Sequence, residues 1–212
     1  LGIGSCFVEQ MGQKLSTHKF SIFYNPLGIA FNPASVALGL DRVSTPKSYQ
    51  STDLFEHQGL WHSFDHHGSF SHPDIDQTCA KATDLFENQG LWHSFDHHGS
   101  FSHPDIDQTL NNIHSAQENG HAQFKKSTVL LLTLGTANVW EHLAQNHIVS
   151  NCHKLPGQVF RRRRLSVAET VEIIGSSLQS LVATRPEIVV ILTVSPVRYL
   201  REGLLENTRR SE

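Results

Sequence analysis

The chain opens Leu1-Gly2-Ile3-Gly4-Ser5-Cys6-Phe7 and continues from Val8 to Leu15 in a helix-like pattern. An apolar start, a Ser-Cys pair beside glycine and a helix read as strand, tight turn, helix. Such a turn lifts a small nucleophilic side chain to the carboxyl edge of a sheet, above the N-terminus of the next helix. Free N–H groups and the positive end of the helix dipole favour a thiolate or a developing oxyanion there.

Two later stretches extend the same plan. Thr128-Val129-Leu130-Leu131-Leu132-Thr133-Leu134 is a continuous apolar run closed by Gly135, the pattern of a strand buried on both faces. Residues 188–194 repeat that pattern and end at Ser195-Pro196. Between them, Ser166-Val167-Ala168-Glu169 forms a capping box. Val171, Ile174, Leu178 and Leu181 follow at core-facing spacing, and Pro186 stops the helix. Strand, helix, strand with buried runs argues for an α/β fold, a parallel sheet flanked by helices. Ligands in such folds sit at the carboxyl ends of the strands. Ser5, Cys6, Gly28, Gly135-Thr136-Ala137-Asn138 and Ser195-Pro196-Val197-Arg198 fall there.

The remaining elements are read more coarsely. Residues 19–24 have the content of a short strand, closed by the turn Asn25-Pro26-Leu27-Gly28. Asn32-Pro33 starts a helix through Leu40, residues 110–125 form a polar helix, and residues 161–164 a solvated loop before the next helix.

At 212 residues the chain is long enough to bury a sizeable core as one α/β domain spanning residues 1–212. It starts without Met and ends in Arg209-Arg210-Ser211-Glu212, which reads as a fragment open at both ends. A net charge of -3 gives no reason to expect nucleic acid or an anionic membrane as partner. No apolar run approaches the roughly 18 residues of a membrane span. Three scattered cysteines, Cys6, Cys79 and Cys152, make no disulfide framework and suit a reducing, cytoplasmic setting.

Residues 52–78 recur almost unchanged at 83–109, with His57 replaced by Asn88 and a four-residue spacer, Cys79-Ala80-Lys81-Ala82, between the copies. A repeat of this period suggests a solenoid, but stacked arrays need at least three units. Near-identity points to a recent duplication, in which one copy fills the domain's slot and the other is extruded as a surface insertion. The segment is expected to be mostly loop. Its Trp61-His62-Ser63-Phe64-Asp65-His66-His67 run is dense in imidazoles that suit zinc, with Asp65 as ligand or acceptor. No HExxH or other metal spacing is present, so a polar pocket wall is the expectation, with no metal or other cofactor.

Several of these motifs, in this order, resemble the GSCFA domain: Gly4-Ser5-Cys6-Phe7, Asn25-Pro26-Leu27-Gly28-Ile29 with Asn32-Pro33, and Trp61 to His67. Leu134-Gly135-Thr136-Ala137, Asn151-Cys152-His153-Lys154 and Thr193-Val194-Ser195-Pro196-Val197-Arg198 complete the series. The resemblance covers nearly the whole chain apart from the extra copy. It implies the SGNH (GDSL-like) superfamily, a three-layer α/β/α sandwich that hosts esterases and acyltransferases.

Carried over by motif, the resemblance places either Cys6 or Ser5 at the nucleophile, depending on a one-residue slip. A thiol at a helix N-terminus is the easier of the two to activate. Gly28 would donate its N–H to the oxyanion. In the Gly135-Thr136-Ala137-Asn138 block, Ala137 stands where an oxyanion Asn is expected, so Thr136 or Asn138 would substitute. The Asp-x-x-His block that supplies the base is absent and would lie beyond residue 212. His153 is a candidate internal base, or else structural. Trp61, His62, Asp65, His66, His67 and Arg198 are candidates to contact substrate, with Arg198 either clamping an anion or pairing with Glu202. The implied reaction is hydrolysis or transfer of an acyl ester, with a small-molecule or carbohydrate ester as partner. Alternatives are a non-catalytic glycan- or metal-binding module, and a metal-dependent hydrolase centred on His62, His66 and His67.

Overall fold

The opening heptapeptide folds as strand, turn and helix: β1 (Gly2–Gly4) runs into Ser5, and α1 (Cys6–Thr17) begins at the next residue. The computed structural model describes residues 1–46, 85–144 and 146–196, and the backbone alone of 54–57 and 60–63. Within them, β1 pairs in parallel with β6 (Val129–Leu134), which pairs in parallel with β10 (Val189–Val194). The sheet order is β1-β6-β10, with Gly2 opposite Leu131 and Leu131 opposite Ile191. Three further α-helices are described: α2 (Pro33–Ser44), α3 (Ile106–Lys126) and α4 (Val167–Thr184).

Alternate residues of a strand face opposite sides of a sheet. A side chain at Gly2 would strike Val8 of α1 at 2.7 Å, whereas Ile3 reaches within 3.3 Å of where a side chain would stand on Gly39 of α2. The two helices therefore contact opposite faces. The main core forms on the α2 face, where Ile3, Leu130 and Leu132 meet Val36, Leu40 and Val43, with Phe124 of α3 and Leu181 of α4 closing it. Burying each such side chain contributes about 1.5–3 kcal/mol.

A second sheet stands beside the first: β7 (Asn138–His142) lies between β8 (His147–Val149) and β9 (Phe160–Arg164), all antiparallel. Glu141 of β7 accepts from both Arg161 and Arg163 of β9, and Arg163 also reaches Glu169 of α4. These arginines hold the Glu141 carboxyl below the ordinary range. Residues 161–164 are therefore strand and not loop, because alternate arginines have a carboxylate to face.

The duplicated segment is also more ordered than mostly loop. In the first copy β2 (Leu54–His57) pairs with β3 (Leu60–Ser63), and in the second β4 (Leu85–Asn88) pairs with β5 (Leu91–Ser94) in the equivalent register. Leu54 opposes Ser63 as Leu85 opposes Ser94. The second copy fills a slot in the fold: Leu85 packs on Ile113 of α3, and Phe95 on Val149 and Phe160.

Four other expectations change. Residues 19–24 form no strand and touch the sheet through a single bridge, Gly2 to Tyr24. The polar helix starts at Ile106, capped by Asp105, whose side chain accepts from Gln108 N–H. Val171 is 65 % exposed and stands off the core that Ile174 and Leu181 enter. Val189, Ile191, Leu192 and Val194 of β10 are exposed as well, on alternating positions and so on both faces of the strand.

Candidate functional site

Three chain segments are stitched together at the carboxyl edge of the parallel sheet. Gly4 adopts φ +150° and lies directly against the Thr133 backbone, where any Cβ would collide with the carbonyl. Ser5 N–H then donates to Thr133 O, and Ala30 N–H to Gly4 O. Phe31 O accepts from both Gly135 N–H (2.7 Å) and Thr136 N–H (2.9 Å). A Cβ on Gly135 would stand 3.1 Å from Ser5 Cβ, so the third block's glycine abuts the Ser-Cys turn. Asn25, at φ +46°, accepts from Gly4 N–H through Oδ1 at 2.9 Å and fixes the turn from the other side.

A cleft of about 660 Å³ opens over this edge. Ser5, Cys6, Gly28, Gly135, Thr136 and Asn138 all line it, so the structure brings six of the seven proposed catalytic residues together. Ser5 is the N-cap of α1: its Oγ accepts from Phe7 N–H at 3.3 Å, and the residue is only 1 % exposed. Cys6 is half-buried, carries a free thiol and occupies the first position of the helix. The first-turn amide there has no acceptor inside the helix.

The backbone donors are less available than the motifs suggest. Gly28 N–H closes a turn onto Asn25 O at 2.9 Å, and Gly135 and Thr136 both donate to Phe31 O. Thr136 Oγ1 accepts from Asn138 N–H at 3.1 Å and from Asn138 Nδ2 at 3.4 Å. Its own hydroxyl hydrogen is left for another acceptor.

His153 does not line the cleft. It sits behind the wall at φ +46°, 7 % exposed, with Nε2 bonded to Ser94 O at 2.6 Å and its ring beside His93 and Phe86. Burial pushes it down to about 4, so it is neutral at pH 7 and buried in a structural cluster.

For Trp61 and His62 the backbone alone is described, and Asp65, His66, His67 and Arg198 lie outside the described residues. Their second-copy counterparts divide. Trp92 packs against Leu85 and Ile113, and His93 bonds Ser102 Oγ at 2.6 Å, so both serve the slot. Asp96, His97 and His98 line the cleft. His97 is 2 % exposed, its Nδ1 is bonded to Ser94 Oγ at 2.8 Å, and burial drives it down to about 3. His98 backs onto Gly28: at φ +87° that glycine leaves no room for a Cβ against the His98 side chain. Among the described residues no three His, Cys, Asp or Glu converge as metal ligands.

The motifs did not reveal Arg42, Trp140 or Arg162, all of which line the cleft. Arg42 lies one helical face along from Ser35 and Leu38, a spacing visible in the sequence once α2 is extended past Leu40. Arg162 stands over the Trp140 ring at 5.8 Å.

No helix among the described residues is long and apolar enough to cross a membrane. No curated protein and no solved structure matches the chain. The family model for GSCFA matches residues 1–83 and again 75–211, so each match takes in one copy of the duplicated segment. With both matches together covering almost every residue, and the Ser5-Cys6 turn lining the cleft, the chain belongs to the GSCFA family.

Proposed function

We propose that the cleft hydrolyses or transfers acyl esters with Cys6 as nucleophile, on a sheet that belongs to a three-layer α/β/α sandwich of the SGNH kind. The observation that carries this reading is the division of labour at the turn. Ser5 Oγ is committed to Phe7 N–H and almost wholly buried, whereas the Cys6 thiol is the accessible one in the cleft. Sγ attacks the acyl carbonyl carbon, and the thioester forms as the ester C–O bond breaks. The leaving alkoxide takes the proton released by the thiol. Water, or an acceptor alcohol, then cleaves the thioester, releases the acyl group and returns the thiol. The Cys6 amide, the Thr136 hydroxyl and Asn138 Nδ2 supply the donors that meet the developing oxyanion. The family resemblance assigns the general base to an Asp-x-x-His pair, a spacing that residues 1–212 do not contain.

A second reading, a binding module on the same fold, is favoured by one observation: the amides of Gly28, Gly135 and Thr136 are all bonded to protein carbonyls. The two readings separate on a β-lactone probe, followed by peptide mass mapping. A stoichiometric acyl adduct on Cys6, with Cys79 and Cys152 unmodified, supports the hydrolase. Equal labelling of the three cysteines, with no adduct on Ser5, removes the activated nucleophile and leaves the binding module.

A further inference from the structure

The cleft wall has an unusual charge balance for this chain. The protein carries 20 Asp and Glu against 17 Lys and Arg, yet Asp96 is the one carboxylate among the described wall residues, beside Arg42 and Arg162. His97 adds no charge near neutral pH, because burial keeps it unprotonated down to about 3. The wall's permanent cations are the two arginines, which no protein environment deprotonates.

Arg42 is the one positioned to bind. It projects from α2 on the face that also presents Ser35 and Leu38 to the cleft. Seven residues at roughly 1.5 Å each place it about 10 Å along the helix from Ser35. The N-terminal end of α2 follows Phe31, whose carbonyl holds Gly135 and Thr136 beside the Ser-Cys turn. Arg42 thus marks the distal end of a cleft whose proximal end is the nucleophile. Its one hydrogen bond among the described residues runs from Nη2 to Asp96 Oδ2 at 3.1 Å. A guanidinium has five N–H donors arranged to grip an oxyanion by two at once, and among the described residues this single bond engages one of the five. The same wall is apolar at Ile3, Leu27, Leu38 and Val149, which suits the body of a ligand and leaves its charged end to Arg42.

We propose that the cleft selects a substrate bearing a carboxylate or phosphate at the end away from its acyl group, and that Arg42 is the residue that binds this anion. The inference rests on the cleft being the substrate site proposed above. Asp96 orients the guanidinium and competes with the incoming anion, so the pair sets the strength of binding in both directions.

The test measures binding and not turnover, on the whole chain with Cys6→Ala to prevent reaction. Ligand-observed NMR titration compares glucuronate and glucose 6-phosphate with uncharged glucose. At least one anion should bind at least about tenfold more tightly than glucose, the scale of one charge-assisted hydrogen bond, and which one does so separates a carboxylate from a phosphate substrate. Arg42→Gln should abolish that preference and Arg42→Lys should keep part of it. Asp96→Asn should strengthen anion binding, an outcome that a merely structural ion pair would not give. Equal binding of glucose and both anions, or an anion preference unchanged in Arg42→Gln, overturns the proposal. Equal loss in Arg42→Gln and Asp96→Asn also overturns it. Because Cys6 is absent throughout, failure of the hydrolase reading would appear only in the labelling experiment.

Discussion

The side-chain amide of Asn88 donates to the backbone carbonyl of His153 at 3.2 Å, across 65 positions of sequence. This contact matters because Asn88 is the one residue at which the second copy of the duplicated segment differs from the first, where His57 stands. Its acceptor belongs to the left-handed pair His153 and Lys154, at φ +46° and +60°. The amide bond therefore pins an unfavourable backbone. Asn88→His should cost about 1 kcal/mol, the net worth of one such hydrogen bond, read as a lower urea midpoint with an unchanged slope. An unaltered midpoint would show that the two copies are interchangeable in the slot.

The second copy fills its slot in the fold through Leu85, Phe95 and His97, and a chain without the first copy keeps that whole copy. Removing residues 52–82 should therefore leave the fold intact. It shortens the connection between Ser44 and Leu85 and lowers the entropy cost of closing it, so the melting temperature should hold or rise. Loss of the near-ultraviolet circular dichroism of the native state would assign the first copy a structural role.

Acid should destabilise the protein through its buried imidazoles. His97 and His153 are lowered to about 3 and about 4, chiefly by burial, whereas unfolded histidine titrates near 6.5. Between those limits the unfolded chain holds the extra protons. Their contribution is thus fully present above pH 6.5 and is lost as pH falls towards 4 and then 3. Each group adds a slope of up to roughly 1.4 kcal/mol per pH unit in that window. Urea melts between pH 7 and 5 should show the decline, and His153→Gln should flatten it by about one proton. A slope unchanged by that variant would mean that His153 titrates alike in both states.

The legible parts of this fold were those written locally. The Gly4-Ser5-Cys6 turn, the Ser166 capping box and the run ending at Gly135 each carry their signal within a few residues, and each forms as read. Pairings made across long separations were hidden. Residues 161–164 look like a solvated loop until Glu141, about twenty positions earlier, is set between Arg161 and Arg163. Residues 19–24 have strand composition but reach the sheet only at Tyr24, where Gly2 N–H donates to Phe23 O and Asn25 N–H to Gly2 O before the chain turns away at Asn25, φ +46°. Within the site, glycines and small polar residues announced the turn. Arg42 shows only a helical spacing from Ser35 and Leu38, which means nothing until the cleft beside that face is known.

The adjacent Ser5 and Cys6 can be separated because they support different things. Ser5 Oγ caps α1 through Phe7 N–H, and losing a serine cap costs about 1 kcal/mol. Cys6 begins the helix without capping it, and its half-buried side chain faces the cleft. Ser5→Ala should lower the melting temperature by a few degrees, the shift expected for a loss of about 1 kcal/mol, while leaving the acyl adduct on Cys6. Cys6→Ala should abolish the adduct with the melting temperature nearly unchanged, since alanine suits a first helical turn. The crossed pattern distinguishes a cap from a nucleophile more surely than either variant alone. If instead Ser5→Ala loses the adduct and Cys6→Ala keeps it, the register of the turn shifts by one residue and Ser5 becomes the attacking group.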